Sequence, residues 1–92
     1  MPRFYFDIDD GRLEPDTEGT ELGSTELALE MAHQFARELA LDELRAGRSF
    51  AHQAVVIRSE AGEMARVPLH VQPDDFAGFQ APQSLSASSP HP

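Results

Sequence analysis

The 92-residue sequence contains no cysteine, and its seven basic residues include no lysine. The missing cysteines exclude a disulfide framework and thiol catalysis, and they fit a reducing cytoplasm. Sixteen acids stand against the seven arginines, for a formal net charge of -9. The arginines (Arg3, Arg12, Arg37, Arg45, Arg48, Arg58, Arg66) are scattered among carboxylates. A clustered positive surface for nucleic acid or an anionic membrane is therefore not expected. No apolar run approaches the roughly 18 residues that a membrane span needs. The first residues read straight into a strand, without the basic and apolar regions of a signal peptide. The expected location is the cytoplasm.

Catalytic signatures are also missing. There is no Gly-x-Ser-x-Gly elbow, no phosphate-cradling glycine loop and no His-Glu-x-x-His pair. The chain is expected not to be an enzyme and to use no cofactor. A length of 92 residues with 40% hydrophobic content suits one small domain. Such a domain buries only about 60% of the surface its unfolded chain exposes, which leaves a marginal core and makes association a natural source of further stability.

What is present is a clear alternation at the start. Phe4, Phe6 and Ile8 fall on one face of a period-2 strand running from about Arg3 to Asp9, and Arg3, Tyr5, Asp7 and Asp9 fall on the other. Asp10-Gly11 suits a two-residue type I′ hairpin turn. That turn predicts Asp9 facing Arg12, Ile8 facing Leu13, Asp7 facing Glu14 and Phe6 facing Pro15, with the proline confining the second strand to an edge. Residues 17 to 23 read as loop. Ser24 or Thr25 can cap a helix to about Ala46, and Gly47 marks its stop. Its central stripe is predicted as Ala28, Met31, Ala32, Phe35 and Leu39, flanked by Leu29, Ala36 and Ala40.

A second hairpin is predicted from about Ala51 to Ser59 and Met64 to Val71, around a three-residue Glu60-Ala61-Gly62 loop. Its register places Ile57 opposite Ala65, Val55 opposite Val67, Val56 opposite Arg66, Ala54 opposite Pro68, Gln53 opposite Leu69 and His52 opposite His70. Pro68 again marks an edge. The expected fold is α+β: a ββαββ, four-stranded antiparallel sheet of order 2-1-3-4, with one long helix on one face. The domain is expected over residues 1–72, followed by a short helical turn over 73–79 and a disordered Pro/Ser/Ala-rich tail over 80–92.

The opening Met1-Pro2-Arg3-Phe4-Tyr5-Phe6-Asp7, the Asp10-Gly11 turn and the step Asp16-Thr17-Glu18-Gly19-Thr20-Glu21-Leu22 into an Ala-rich helix resemble a family of short, uncharacterised bacterial proteins, a domain of unknown function. The resemblance covers roughly Met1 to Val71. It implies a cytoplasmic bacterial protein of this architecture and carries no catalytic residues.

Two constellations carry possible chemistry. In the acidic hairpin, Asp7, Asp9 and Glu14 lie among seven acids, and hard cations such as Ca²⁺ or Mg²⁺ bind oxygen clusters of that kind. The alternative is a set of solvated turn carboxylates with local arginine partners. His52 and His70, opposed by the predicted register, could share a zinc ion, although zinc would want a third ligand. The plainer alternative is a pair of solvent-facing histidines. Tyr5, Val56, Arg58 and Arg66 on the open sheet face, with Leu41 and Leu44 on the helix, have the composition of an interface. The same face can instead be a wet sheet with cross-strand Arg-carboxylate pairs.

The leading expectation is a small acidic, non-catalytic protein-interaction module, a homodimer or the partner of another protein. The alternatives are a cation-binding module built on the acidic hairpin and an acidic decoy for a basic protein.

Overall fold

The computed structural model describes residues 1–72, so the turn expected over 73–79 and the tail expected over 80–92 lie outside the described residues. In chain order the elements are β1 (Arg3–Asp9), β2 (Leu13–Glu14), β3 (Thr20–Glu21), α1 (Thr25–Arg45), β4 (Ala54–Ser59) and β5 (Gly62–Pro68). All strand pairs are antiparallel. The sheet runs β2-β1-β4-β5, with β3 also paired to β1. The α+β class and the order of the four expected strands hold, and β3 corrects the four-strand ββαββ description. It pairs Thr20 with Phe4 and Glu21 with Arg3, farther along the β1 edge that β2 also uses.

The alternation in β1 sets the two sides of the sheet. Phe4, Phe6, Val55, Ile57, Val67 and Leu69 are buried against α1, and Ile8 packs at the margin of that core. Ser24 caps α1 by accepting a hydrogen bond from Leu27 N–H at 3.2 Å. The helix ends in a Schellman motif: Arg48 N–H donates to Glu43 C=O at 2.8 Å and Gly47 N–H to Leu44 C=O at 3.0 Å. Gly47 takes a φ of 75° there, a conformation that favours glycine.

The centre of the helix stripe differs from expectation. Ala28, Ala32, Ala36 and Ala40, spaced by four residues, are the fully buried row. Leu29, Met31, Phe35 and Leu39 are only partly buried beside it. A row of methyl groups allows the helix backbone to approach the sheet closely, and larger side chains on the same line would hold the two layers apart. The large side chains consequently lie along the flanks.

Both hairpin turns differ from the predicted ones. In the first, Asp9 pairs with Leu13 and Ile8 with Glu14, one residue out of the expected register. The connection is Asp10-Gly11-Arg12, with Gly11 at φ 103°. Asp9 Oδ1 accepts from Gly11 N–H and Asp10 Oδ1 from Arg12 N–H, so two side-chain turns replace the tight type I′ turn. Because side-chain direction alternates, this slip turns Leu13 away from the core and leaves it 56% exposed. In the second hairpin, Glu60-Ala61 forms a two-residue connection between paired Ser59 and Gly62, and an irregularity between Ile57 and Arg58 absorbs the extra residue. The four pairs from Ala54↔Pro68 to Ile57↔Ala65 match the expected register. Leu69 N–H donates to Gln53 C=O at 3.0 Å, extending that match beyond the strands.

Candidate functional site

Asp7 sits in the middle of β1 on the sheet face away from the helix, yet it is only 1% exposed. A carboxylate so placed needs partners, because an unpaired buried charge costs several kcal/mol. Arg58 of β4 provides them: Nε donates to Asp7 Oδ2 at 2.9 Å and Nη2 to Oδ1 at 3.3 Å. Asp16 N–H donates to Asp7 Oδ1 at 2.8 Å, and Asp16 C=O accepts from Arg58 Nη2 at 3.1 Å. The guanidinium lies 4.5 Å from the centre of the Tyr5 ring. Burial pushes the Asp7 carboxyl up, but the hydrogen bonds from Arg58 and Asp16 outweigh it and hold the group below the ordinary value of 3.8. Asp7 is therefore held ionised, the reverse of what a general acid needs.

Asp16 anchors the loop between β2 and β3. Its Oδ2 accepts from Phe6 N–H at 3.2 Å, and its Oδ1 accepts from Glu18 and Gly19 N–H, both at 3.1 Å. Burial raises this carboxyl as well, and the amides of Gly19, Phe6 and Glu18 more than offset it. The loop passes close over the sheet at Gly19, which has a φ of 75°. A Cβ at that position would lie 2.8 Å from both Arg3 Cγ and Tyr5 Cε2. Arg3 closes the loop by donating to Glu18 C=O at 2.8 Å and to Glu21 Oε2 at 3.0 Å.

The expected Asp7-Glu14 pair is not formed, because the register slip moves Glu14 opposite Ile8. Asp9 instead receives Arg66 Nη1 at 2.7 Å. Arg66 and the Gly11 amide hold the Asp9 carboxyl below its ordinary value. Arg66 stands opposite Val56 on β5, so its reach to Asp9 on β1 crosses β4. Val56 beneath this sheet face is only 3% exposed. Of the interface candidates, Val56 is thus covered, and Tyr5, Arg58 and Arg66 are engaged in contacts within the chain. Leu41 and Leu44 are partly buried on α1.

The predicted His52-His70 pair is replaced in part. His70 lies beyond the end of β5, and its Nε2 is 3.2 Å from Nδ1 of His33 on the helix. His52 is exposed in the turn before β4. Among the described residues, no group of three or more His, Cys, Asp or Glu side chains could hold a metal ion.

A site not anticipated from sequence lies on the opposite side of β1. Phe6 and Ile8 from β1, with Phe35 and Leu39 from α1, line a groove of about 360 Å³ edged by Asp16, Glu38 and Asp42. The Phe6 and Phe35 rings meet edge to face, with centroids 5.3 Å apart. The groove follows from the alanine row, since Phe35 and Leu39 flank the helix-sheet seam without filling it. The breadth of the apolar stripe on α1, with three residues flanking its five central ones, was the available sequence signal.

With this architecture in view, one comparison is decisive: a model described as a domain of unknown function, DUF6894, matches residues 3–70. The chain belongs to the DUF6894 family. The DUF6894 match begins at Arg3, whose side chain closes the Asp16 loop, and it ends at His70, the partner of His33. No curated protein and no solved structure gives a significant match. No helix among the described residues of this DUF6894 protein is long and apolar enough to cross a membrane.

Proposed function

We propose that this DUF6894 chain is a non-catalytic protein-interaction module that presents the groove between α1 and β1 to a partner protein. The observation that supports the reading is the lining of the groove, where the large apolar side chains Phe35 and Leu39 remain only partly buried. The acidic hairpin gives less support to cation binding, because Asp7, Asp9 and Asp16 already accept hydrogen bonds from arginines or backbone amides. Site-specific photo-crosslinking in cells tests the proposal. Asp42→p-benzoylphenylalanine is expected to yield a discrete protein adduct. The same replacement at Ala61, in the turn at the other end of the sheet, is expected to yield none. Equal labelling from both positions, or no adduct from Asp42, rejects the groove as the contact surface.

A second reading, self-association into a homodimer, is favoured by β5. This strand is paired on one side only among the described residues, and Met64 on it is 39% exposed. An open edge of this kind can pair with a second chain. Light scattering coupled to gel filtration is expected to give twice the chain mass, and Met64→Lys to halve it. A monomeric mass at all concentrations removes this reading.

A further inference from the structure

We infer that the groove beside α1 takes a basic amphipathic segment of another protein, one with a few large apolar side chains flanked by arginine or lysine. The inference rests on the interaction-module reading and adds the chemistry of the partner. The groove floor is apolar, and every charged residue that lines it is acidic. The Asp16 carboxylate already accepts hydrogen bonds from the Phe6, Glu18 and Gly19 amides, which leaves Glu38 and Asp42 on the helix as the exposed charges. Glu38 accepts a hydrogen bond from the neutral Gln34 amide, so its charge is not neutralised there. Among the described residues, the Asp42 carboxylate meets Arg45 in an exposed ion pair at 3.7 Å, a geometry that screens little.

Three occupants can be compared by charge. A second copy of the chain brings a net charge of -9 and the same acidic rim. The chain's own residues 73–92 bring Asp74 and Asp75 and no arginine or lysine. Both meet like charge at Glu38 and Asp42. A basic segment gains attraction at the rim while its apolar residues fill the groove, and opposite potentials across an interface also discriminate among partners. At about 360 Å³ the groove suits a few side chains of a peptide segment.

The test uses the full chain and three fluorescein-labelled synthetic peptides. They share one Leu/Phe anchor at helical spacing and differ only in flanking residues: arginine, glutamine or glutamate. Fluorescence anisotropy is expected to rank them arginine, glutamine, glutamate from tightest to weakest. The Glu38→Gln/Asp42→Asn double variant, altered only at exposed positions, is expected to weaken the arginine peptide by roughly 2- to 30-fold and to leave the glutamine peptide unchanged. Backbone amide shifts of Phe35 and Leu39 should move on titration. Equal affinity of the arginine and glutamine peptides overturns the basic-partner inference and leaves the groove reading standing. No binding by any peptide up to about 1 mM, or shifts confined to β5, overturns both.

Discussion

Replacing Asp7 by alanine tests how far the fold depends on one buried charge. The substitution deletes two hydrogen bonds from Arg58 and one from Asp16 N–H. Removing one partner of a buried ion pair costs about 3–5 kcal/mol. The lower end applies here, because the Arg58 side chain is 35% exposed and water can hydrate the freed guanidinium. A loss of about 3 kcal/mol is therefore expected. A chain of 92 residues has on the order of 5–14 kcal/mol of stability in all, so this one side chain carries a sizeable share. Thermal unfolding followed by far-UV circular dichroism should show a midpoint lower by roughly 12–24 °C. Urea unfolding should give a lower midpoint at unchanged slope. Asp7→Asn, which keeps an acceptor for Asp16 N–H, should fall between the parent and alanine. Arg58→Met reverses the experiment: burial of Asp7 then meets no arginine, and an NMR titration should find its carboxyl moved up. A loss under about 0.5 kcal/mol in Asp7→Ala, the range of an ordinary surface change, would refute the reasoning.

Three further outcomes are expected. Gly19→Ala should destabilise by about 1–3 kcal/mol in chemical denaturation, since it combines a left-handed φ with the 2.8 Å approaches to Arg3 and Tyr5; a neutral effect would mean that the loop stands farther from the sheet. Ala36→Leu should cost about 1–3 kcal/mol or more by overpacking the seam, whereas Leu39→Met on the flank should cost under about 1.5 kcal/mol; equal losses would contradict the alanine row as the contact line. Asp7, Asp9, Asp16 and Glu43 all have folded values below their ordinary 3.8 or 4.5. The unfolded chain thus takes up protons first as the pH falls. The stabilisation is complete above those ordinary values and is lost as the pH drops through the folded ones, so urea midpoints should hold from pH 7 to about 5 and decline below about 4.

Much of the fold was legible because two periodicities and a few terminating residues agree. Alternation in Arg3–Asp9 assigned Phe4, Phe6 and Ile8 to the helix side, and Ser24 and Gly47 bounded α1. Pro15 and Pro68 marked edges, and the β4-β5 register expected from a three-residue loop holds over Ala54 to Ile57 because the irregularity between Ile57 and Arg58 offsets the shorter turn. The errors arose where side chains compete with the backbone or where contacts are distant in sequence. Asp9 and Asp10 each hydrogen-bond an amide two residues on, which lengthens the first turn and shifts its register. The two residues of β3 are too few for any period to show. The role of Asp16 depends on Phe6, ten residues away, and on Arg58, forty-two residues away. His70 escaped the expected pairing because the ladder ends with the Leu69-Gln53 hydrogen bond, beyond which strand alternation no longer governs side-chain direction. The groove was hidden because periodicity placed Phe35 and Leu39 at the centre of the stripe with Ala36 and Ala40 beside it, and periodicity does not report how near the two layers lie.

The loop anchored by Asp16 also bears on solubility. β2 and β3 are each two residues long and leave a gap along β1 between Phe4 and Ile8. An amide left open in such a gap could nucleate pairing with a foreign strand. At Phe6 the Asp16 carboxylate occupies the position that a neighbouring strand's carbonyl would take, and a negatively charged side chain cannot pass the pairing on to a further chain. Asp16 thus acts as a terminator of sheet growth. Its loss should show first as aggregation on concentration or storage, before any large change in melting temperature.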